Sequence, residues 1–265
     1  MFPLSDENPR SRVPIATIAL ICLNAGVWLL VQGLGNAQPL AESLCLYGLV
    51  PGDLLGNITP GTRIQLGANL VCQYDGAPNP SSLLTSMFMH GGWFHILGNL
   101  WFLWVFGDNV EDVMGPLRFV AFYVLCGLAA AGAQILSNTS STIPMVGASG
   151  AIGGVMGAYA LLFPRVRVNT LIFLGFYVTT VRIPAIFMLG YWFVLQLLQG
   201  LPALGSSQGG VAFWAHIGGF AAGVGLIGLF RRADYLAAHR TTVNRNTDRS
   251  VRPRSAGKNG GSRWF

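Results

Sequence analysis

"PMVGASGAIGGVMGAYALLF", residues 144–163, begins as a turn and runs on as an oily helix carrying no charge. Met145–Phe163 is 19 residues, the length of a helix that crosses the hydrocarbon core of a bilayer. Inside it sits a small hydroxyl, Ser149, with Gly147 two residues before it and Gly150 next to it. Four more runs of similar length flank this one: Ile15–Leu34, Leu117–Leu136, Ile183–Leu201 and Val211–Phe230. Arg118 is the only formal charge in any of the five. A sixth, Ser81–Gly107, is apolar but carries His90, His95 and Asn99. The whole chain is 52% hydrophobic and only 10% charged, against about 25% charged in a soluble domain, too few charges to clothe a surface in water. An all-α, polytopic membrane protein with a bundle of six transmembrane helices is therefore expected.

Charge orients the bundle. With the N-terminus inside, the inner parts are residues 1–14, the loops near 108–118 and 164–182, and the tail 231–265. They hold 15 of the 16 Lys and Arg residues and leave only Arg63 outside, a strong positive-inside bias. Three parts follow: a cytoplasmic N-terminal tail (1–14), a membrane domain (15–230) with a long outer loop (35–82), and a basic tail (231–265) read as disordered from its low hydrophobicity. That tail is an orientation signal, or alternatively a patch for anionic lipid or another acidic partner. No motif for nucleic acid accompanies it. The first run has no small-residue cleavage site followed by a soluble domain, and reads as a retained span. Val168–Val181, about 14 residues, is too short to cross and reads as an interfacial or re-entrant piece. Cys22 and Cys126 fall within spans. Cys45 and Cys72 share the outer loop, where a disulfide and two free thiols both stand open, depending on the compartment.

Polar side chains inside spans are expensive and face the protein interior. Here they are His95 and Asn99, spaced i, i+4 on one helix face, together with Ser149 and His216. The second, fourth and sixth helices all run from outside to inside. Ser149 lies four residues past Met145 and His216 five past Val211, so both are expected roughly 6 to 8 Å below the outer ends of their helices. The glycines at Gly150, Gly153, Gly154 and Gly157, and the pair Gly219 and Gly223, recur at the spacing that lets backbones meet closely in lipid. The fourth and sixth helices should therefore touch. Singly, each polar residue has a structural explanation: a serine bonded to a backbone carbonyl, a packed histidine, an asparagine as interhelical glue. Together they bring a hydroxyl, two imidazoles and an amide to one depth. A neutral imidazole can take the serine proton as the hydroxyl attacks a carbonyl and return it to the leaving amine. Asn99, His95 and the Ser149 backbone N–H are the expected donors to the developing oxyanion. Gly147 and Gly150 would permit a tight entry to the helix and close approach of substrate backbone. No acidic residue in the spans is available to orient His216, so a dyad is expected in place of a triad.

"GASG" (147–150), "AHIGGFAAG" (215–223) and "HGGWFHILGN" (90–99), with the span count and order from about Ile15 to Phe230, resemble the rhomboid intramembrane serine proteases. The resemblance implies Ser149 as nucleophile, His216 as general base, and His95 and Asn99 as the oxyanion-stabilising pair. It implies single-pass or multi-pass membrane proteins as substrates, cut near the outer ends of their helices at small residues with helix-weakening residues nearby. It implies a site opening to the outer side and no metal or other cofactor. Two features depart from some members. The position four after the nucleophile, where an aromatic stacks on the base, is Gly153, so His216 must be oriented from elsewhere. The first outer loop lacks a Trp-Arg pair, so its fold does not carry over. "DNVED" (Asp108–Asp112), with Glu111, reads as a structural cluster at the inner end of the second helix.

Three other readings compete. A silent relative that binds membrane clients would commonly lack the serine or the histidine. A solute or proton carrier relaying through His95 and His216 would not need the GxSG turn and has no acidic residue in its spans. A haem between the two histidines fits residue types alone. Arginine outnumbers lysine 15 to 1, which is compatible with a bacterial inner or plasma membrane; oligomeric state is not legible.

Overall fold

The structure, a computed structural model, describes all residues except 68, 69, 203, 205–210 and 252–265. Its helices are α1 (Ile15–Leu30), α2 (Ala37–Tyr47), α3 (Pro51–Leu54), α4 (Ser82–Thr85), α5 (Trp93–Met114), α6 (Pro116–Ser137), α7 (Ser149–Leu162), α8 (Ala185–Gly200), α9 (Phe213–Phe230) and α10 (Ala233–Val251). Its strands are β1 (Phe2–Asp6), β2 (Arg63–Gly67), β3 (Leu70–Gln73), β4 (Arg167–Leu174) and β5 (Tyr177–Pro184).

The bundle is built around α7. Every residue from Gly150 to Ala160 is buried, and α5, α6, α8 and α9 pack around it. A helix apolar on all sides belongs at the centre. Small residues make this arrangement possible: a Cβ on Gly219 or Gly223 would run into the carbonyl oxygens of Gly150 and Gly154, so α9 lies backbone to backbone on α7. Outward faces are apolar, with Leu23, Leu30, Phe94, Leu117, Phe187 and Leu229 exposed. Such a surface has no favourable partner in water and a good one in lipid. Two helices, α6 and α9, are long and apolar enough to cross a membrane, while α1, α7 and α8 are apolar but only 16, 14 and 16 residues long.

The expected all-α architecture is corrected by two small sheets. Val168–Val181, read as an interfacial or re-entrant piece, belongs to the antiparallel hairpin β4–β5, closed by Gly175 and Phe176. Its run of Val, Thr, Ile and Tyr favours a pleated chain, and Gly175 takes the φ of +63° that such a tight turn needs. β1 adds to this hairpin in the order β1-β4-β5, so residues 1–14 are not a loose tail. The tail expected to be disordered from 231 is helical through α10. Its inward face buries Leu236 and His239, which the averaged polarity of the segment hid. Residues 252–265 of that tail lie outside the described residues.

The end of the bundle where α5 finishes and α1 begins is held by the 108–112 cluster. Glu111 accepts from the Ala16 and Thr17 amides at 2.9 and 2.8 Å and from the Thr17 hydroxyl at 2.8 Å, capping the N-terminus of α1 from across the bundle. Asp112 accepts from the Ser11 amide at 3.0 Å and lies 2.7 Å from His239 Nδ1, tying the N-terminal segment and α10 to α5. At the other end, the described residues of the 35–82 loop include α2, α3 and the β2–β3 pair. Cys45 and Cys72 form a disulfide beside a small core of Val50, Ile58 and Tyr74.

Candidate active site

A cavity of roughly 740 Å³ opens among α5, α7, α8 and α9, and its walls include Phe94, His95, Asn99, Ser149, Trp192 and His216. Ser149 is the first residue of α7 rather than a position one turn inside it, because the chain before it is a turn and not helix. That turn is pinned from two sides. The Gly147 amide donates to the Ser86 carbonyl at 2.9 Å, and Met145 exchanges backbone hydrogen bonds with Leu49 in the outer loop. Gly147 has φ +125°, and a Cβ there would press into His95 Nε2 and approach Asn99 Nδ2. Both conditions demand glycine. Of the two tasks expected of Gly150, its surroundings match helix contact: it faces Ala130 of α6 and the α9 backbone.

His95 accepts from the Gly91 amide at its Nδ1, 3.2 Å away, which leaves the proton on Nε2. That nitrogen faces Gly147, two residues ahead of the serine. Asn99 is buried, and its Nδ2 has no hydrogen-bond partner among the described residues. Asn99 lines the same cavity as Ser149 and His216. The Ser149 amide stands at the N-terminus of α7, where the helix leaves its first N–H groups free.

His216, on the first turn of α9, completes the group. Its Nε2 lies 2.7 Å from Ser149 Oγ. Its Nδ1 lies 2.8 Å from Gln196 Oε1 on α8, and the Trp192 ring, one turn before Gln196, is centred 5.6 Å from the imidazole and tilted by 39°. A side chain at position 153 would be crowded: its Cβ would lie 3.1 Å from the His216 carbonyl oxygen, with the Trp192 ring at 3.8 Å. The aromatic wall against the histidine thus comes from α8. Sequence reasoning passed over Gln196 and Trp192, and also Gln134 of α6, whose Oε1 accepts from the Ala215 amide at 3.2 Å and steadies the start of α9. Both glutamines are polar side chains inside apolar spans, the same signal that singled out Asn99.

The family described as Rhomboid domain matches residues 78–233. Among relatives, the chain is 26% identical over 161 residues to the mitochondrial Rhomboid protein 1 of Saccharomyces cerevisiae, covering 58% of this chain and 43% of that one. It is 31% identical over 142 residues to RHOMBOID-like protein 5 of Arabidopsis thaliana, 53% of this chain and 41% of that one. It is 33% identical over 136 residues to Rhomboid protease GluP of Bacillus subtilis, 51% of this chain and 26% of that one. The matches thus span less than half the length of each of these relatives.

Proposed function

The chain belongs to the rhomboid family of integral membrane proteins, and on that premise we propose that it is an intramembrane serine endopeptidase with Ser149 as nucleophile and His216 as general base. The observation that carries this is the 2.7 Å approach of Ser149 Oγ to His216 Nε2, made by two sequence-distant helices inside a cavity. A substrate carbonyl carbon bonds to Oγ as Nε2 takes the hydroxyl proton. The charge formed on the carbonyl oxygen is met by the N–H groups of His95 Nε2, Asn99 Nδ2 and the Ser149 backbone, at the positive end of α7. Collapse breaks the C–N bond, and the proton on Nε2 goes to the leaving amine. Water then repeats the sequence on the acyl-enzyme, with His216 again as base.

Substrates in this reading are membrane proteins whose helices loosen near the outer surface, with small residues at the cut. We place six spans across the bilayer, on α1, α5, α6, α7, α8 and α9 with their flanking turns, and both termini on the arginine-rich inner side. The exposed Phe173, Phe176 and Tyr177 at the tip of the β4–β5 hairpin suit the inner interface. An arginine-rich inner side fits a bacterial inner membrane, and relatives from a bacterium and from mitochondria fit either setting. The test is labelling of the detergent-purified protein by a fluorophosphonate probe, together with cleavage of a single-span model substrate. Labelling at Ser149 is expected, with cleavage lost in both Ser149→Ala and His216→Ala. Full cleavage by Ser149→Ala would sink the assignment.

A further inference from the structure

We propose that Gln196 is a positioning residue that fixes the tautomer of His216, so that α8 supplies the third member of a Ser149–His216–Gln196 relay. This rests on the protease reading above. Gln196 Oε1 carries no hydrogen and can only accept, so at 2.8 Å it requires the proton to reside on His216 Nδ1. A neutral imidazole protonated at Nδ1 has its lone pair on Nε2, and that nitrogen faces Ser149 Oγ at 2.7 Å. One amide oxygen therefore sets the histidine in the form that can receive the serine proton, the role a buried carboxylate plays in a triad. It does so without placing a charge in the apolar bundle, where an unpaired carboxylate would be expensive.

Geometry on α8 supports the assignment. Gln196 is buried, and it follows Trp192 by one turn, so both side chains leave the same helix face. Trp192 covers the imidazole plane while Gln196 holds its edge. With glycine at position 153, no side chain from that position of α7 covers the His216 ring. Two contacts from α8 restrict the ring in both rotation and protonation. Because α8 also borders the cavity through Trp192, the base is held by an element that walls the site.

Three variants of the full chain in detergent test this on a single-span substrate. Gln196→Met keeps the volume and removes the acceptor; kcat should fall on the order of 10- to 100-fold, the range for losing a group that orients a working histidine, with KM unchanged. Gln196→Glu restores an acceptor oxygen and should bring kcat back to within about tenfold of wild type. In protein labelled with ¹⁵N-histidine, with His216→Ala used to assign the signal, the Nδ1-protonated tautomer of His216 should be present in wild type and Gln196→Glu and lost in Gln196→Met. A Gln196→Met enzyme with wild-type kcat, a change confined to KM, or a tautomer signal indifferent to Gln196 would overturn the inference while leaving a Ser149-dependent protease intact. A wild-type protein that neither labels at Ser149 nor cleaves would overturn the protease reading and this inference with it.

Discussion

At the scale of single residues, the site is defined by which nitrogen keeps its proton and which donor has been left unused. His95 presents Nε2–H because Gly91 occupies its Nδ1, and Asn99 presents an Nδ2 that has no hydrogen-bond partner among the described residues. Asn99→Ala should therefore slow turnover by about 10²- to 10³-fold, the usual effect of deleting one oxyanion donor, with KM nearly unchanged. It should leave the melting temperature in detergent close to wild type, because no partner is stranded by the loss. An unaltered kcat would remove Asn99 from that role. Ser149, His216, His95 and Asn99 were readable because polar groups in apolar runs stand out. Gln196 obeyed the same rule but drew no attention, since a lone glutamine in a span is readily taken as packing. Only its 2.8 Å contact with the imidazole distinguishes the two roles.

At the scale of elements, α7 and α9 meet without side chains between them. Gly223→Leu would force a branched side chain into the Gly154 carbonyl, pushing the helices apart and destabilising the fold by about 1 to 3 kcal/mol. It should also separate Ser149 from His216, so thermal melting in detergent and substrate cleavage should fall together. Gly225→Leu, two residues along on the same helix, is the control: nothing lies within 4 Å of a Cβ there, so both readouts should hold. Equal effects from the two would mean that helix propensity, not close approach, governs this helix. The spacing of Gly219 and Gly223 announced a close contact, and the matching glycines of α7 announced its partner. The start of α7 was less legible. Residues 145–148 are as apolar as a helix, yet Gly147 and its backbone bond to Ser86 hold them in a turn.

At the scale of the whole molecule, the end of the bundle that carries the sheet is closed by segments far apart in sequence. The Tyr159 hydroxyl on α7 donates to Asp6 in β1, and Asn109 on α5 donates to the same oxygen at 3.0 Å. Burial pushes the Asp6 carboxyl up to about 7, with Asp108 nearby adding to the effect. A carboxyl raised in the folded state binds its proton more tightly there than in the unfolded chain. Its stabilising contribution is full below the ordinary value of 3.8 and is lost as pH rises through about 7. Hydrogen exchange across Phe2–Asp6 should accordingly be faster at pH 8 than at pH 5, beyond the intrinsic pH effect, and Asp6→Asn should flatten that difference. A wild-type profile matching that of Asp6→Asn would show that Asp6 does not hold the strand.

The amino-acid sequence by itself determined the membrane-buried character of the chain, the close pairing of α7 with α9, and the identity of four polar residues at the site. These follow from properties that neighbours along the chain carry: length of apolar runs, glycine spacing, polarity out of place. Tertiary structure alone decided what holds the histidine, what fills the space beside Gly153, and how residues 1–14 and α10 are used. Those depend on groups brought together across long separations, Gln196 to His216 and Asp6 to Tyr159, and no local pattern encodes which distant side chain will arrive. The sheet fell between the two. Its β-branched residues were on the page, but the strand that completes it, Phe2–Asp6, gains its order only by pairing with β4.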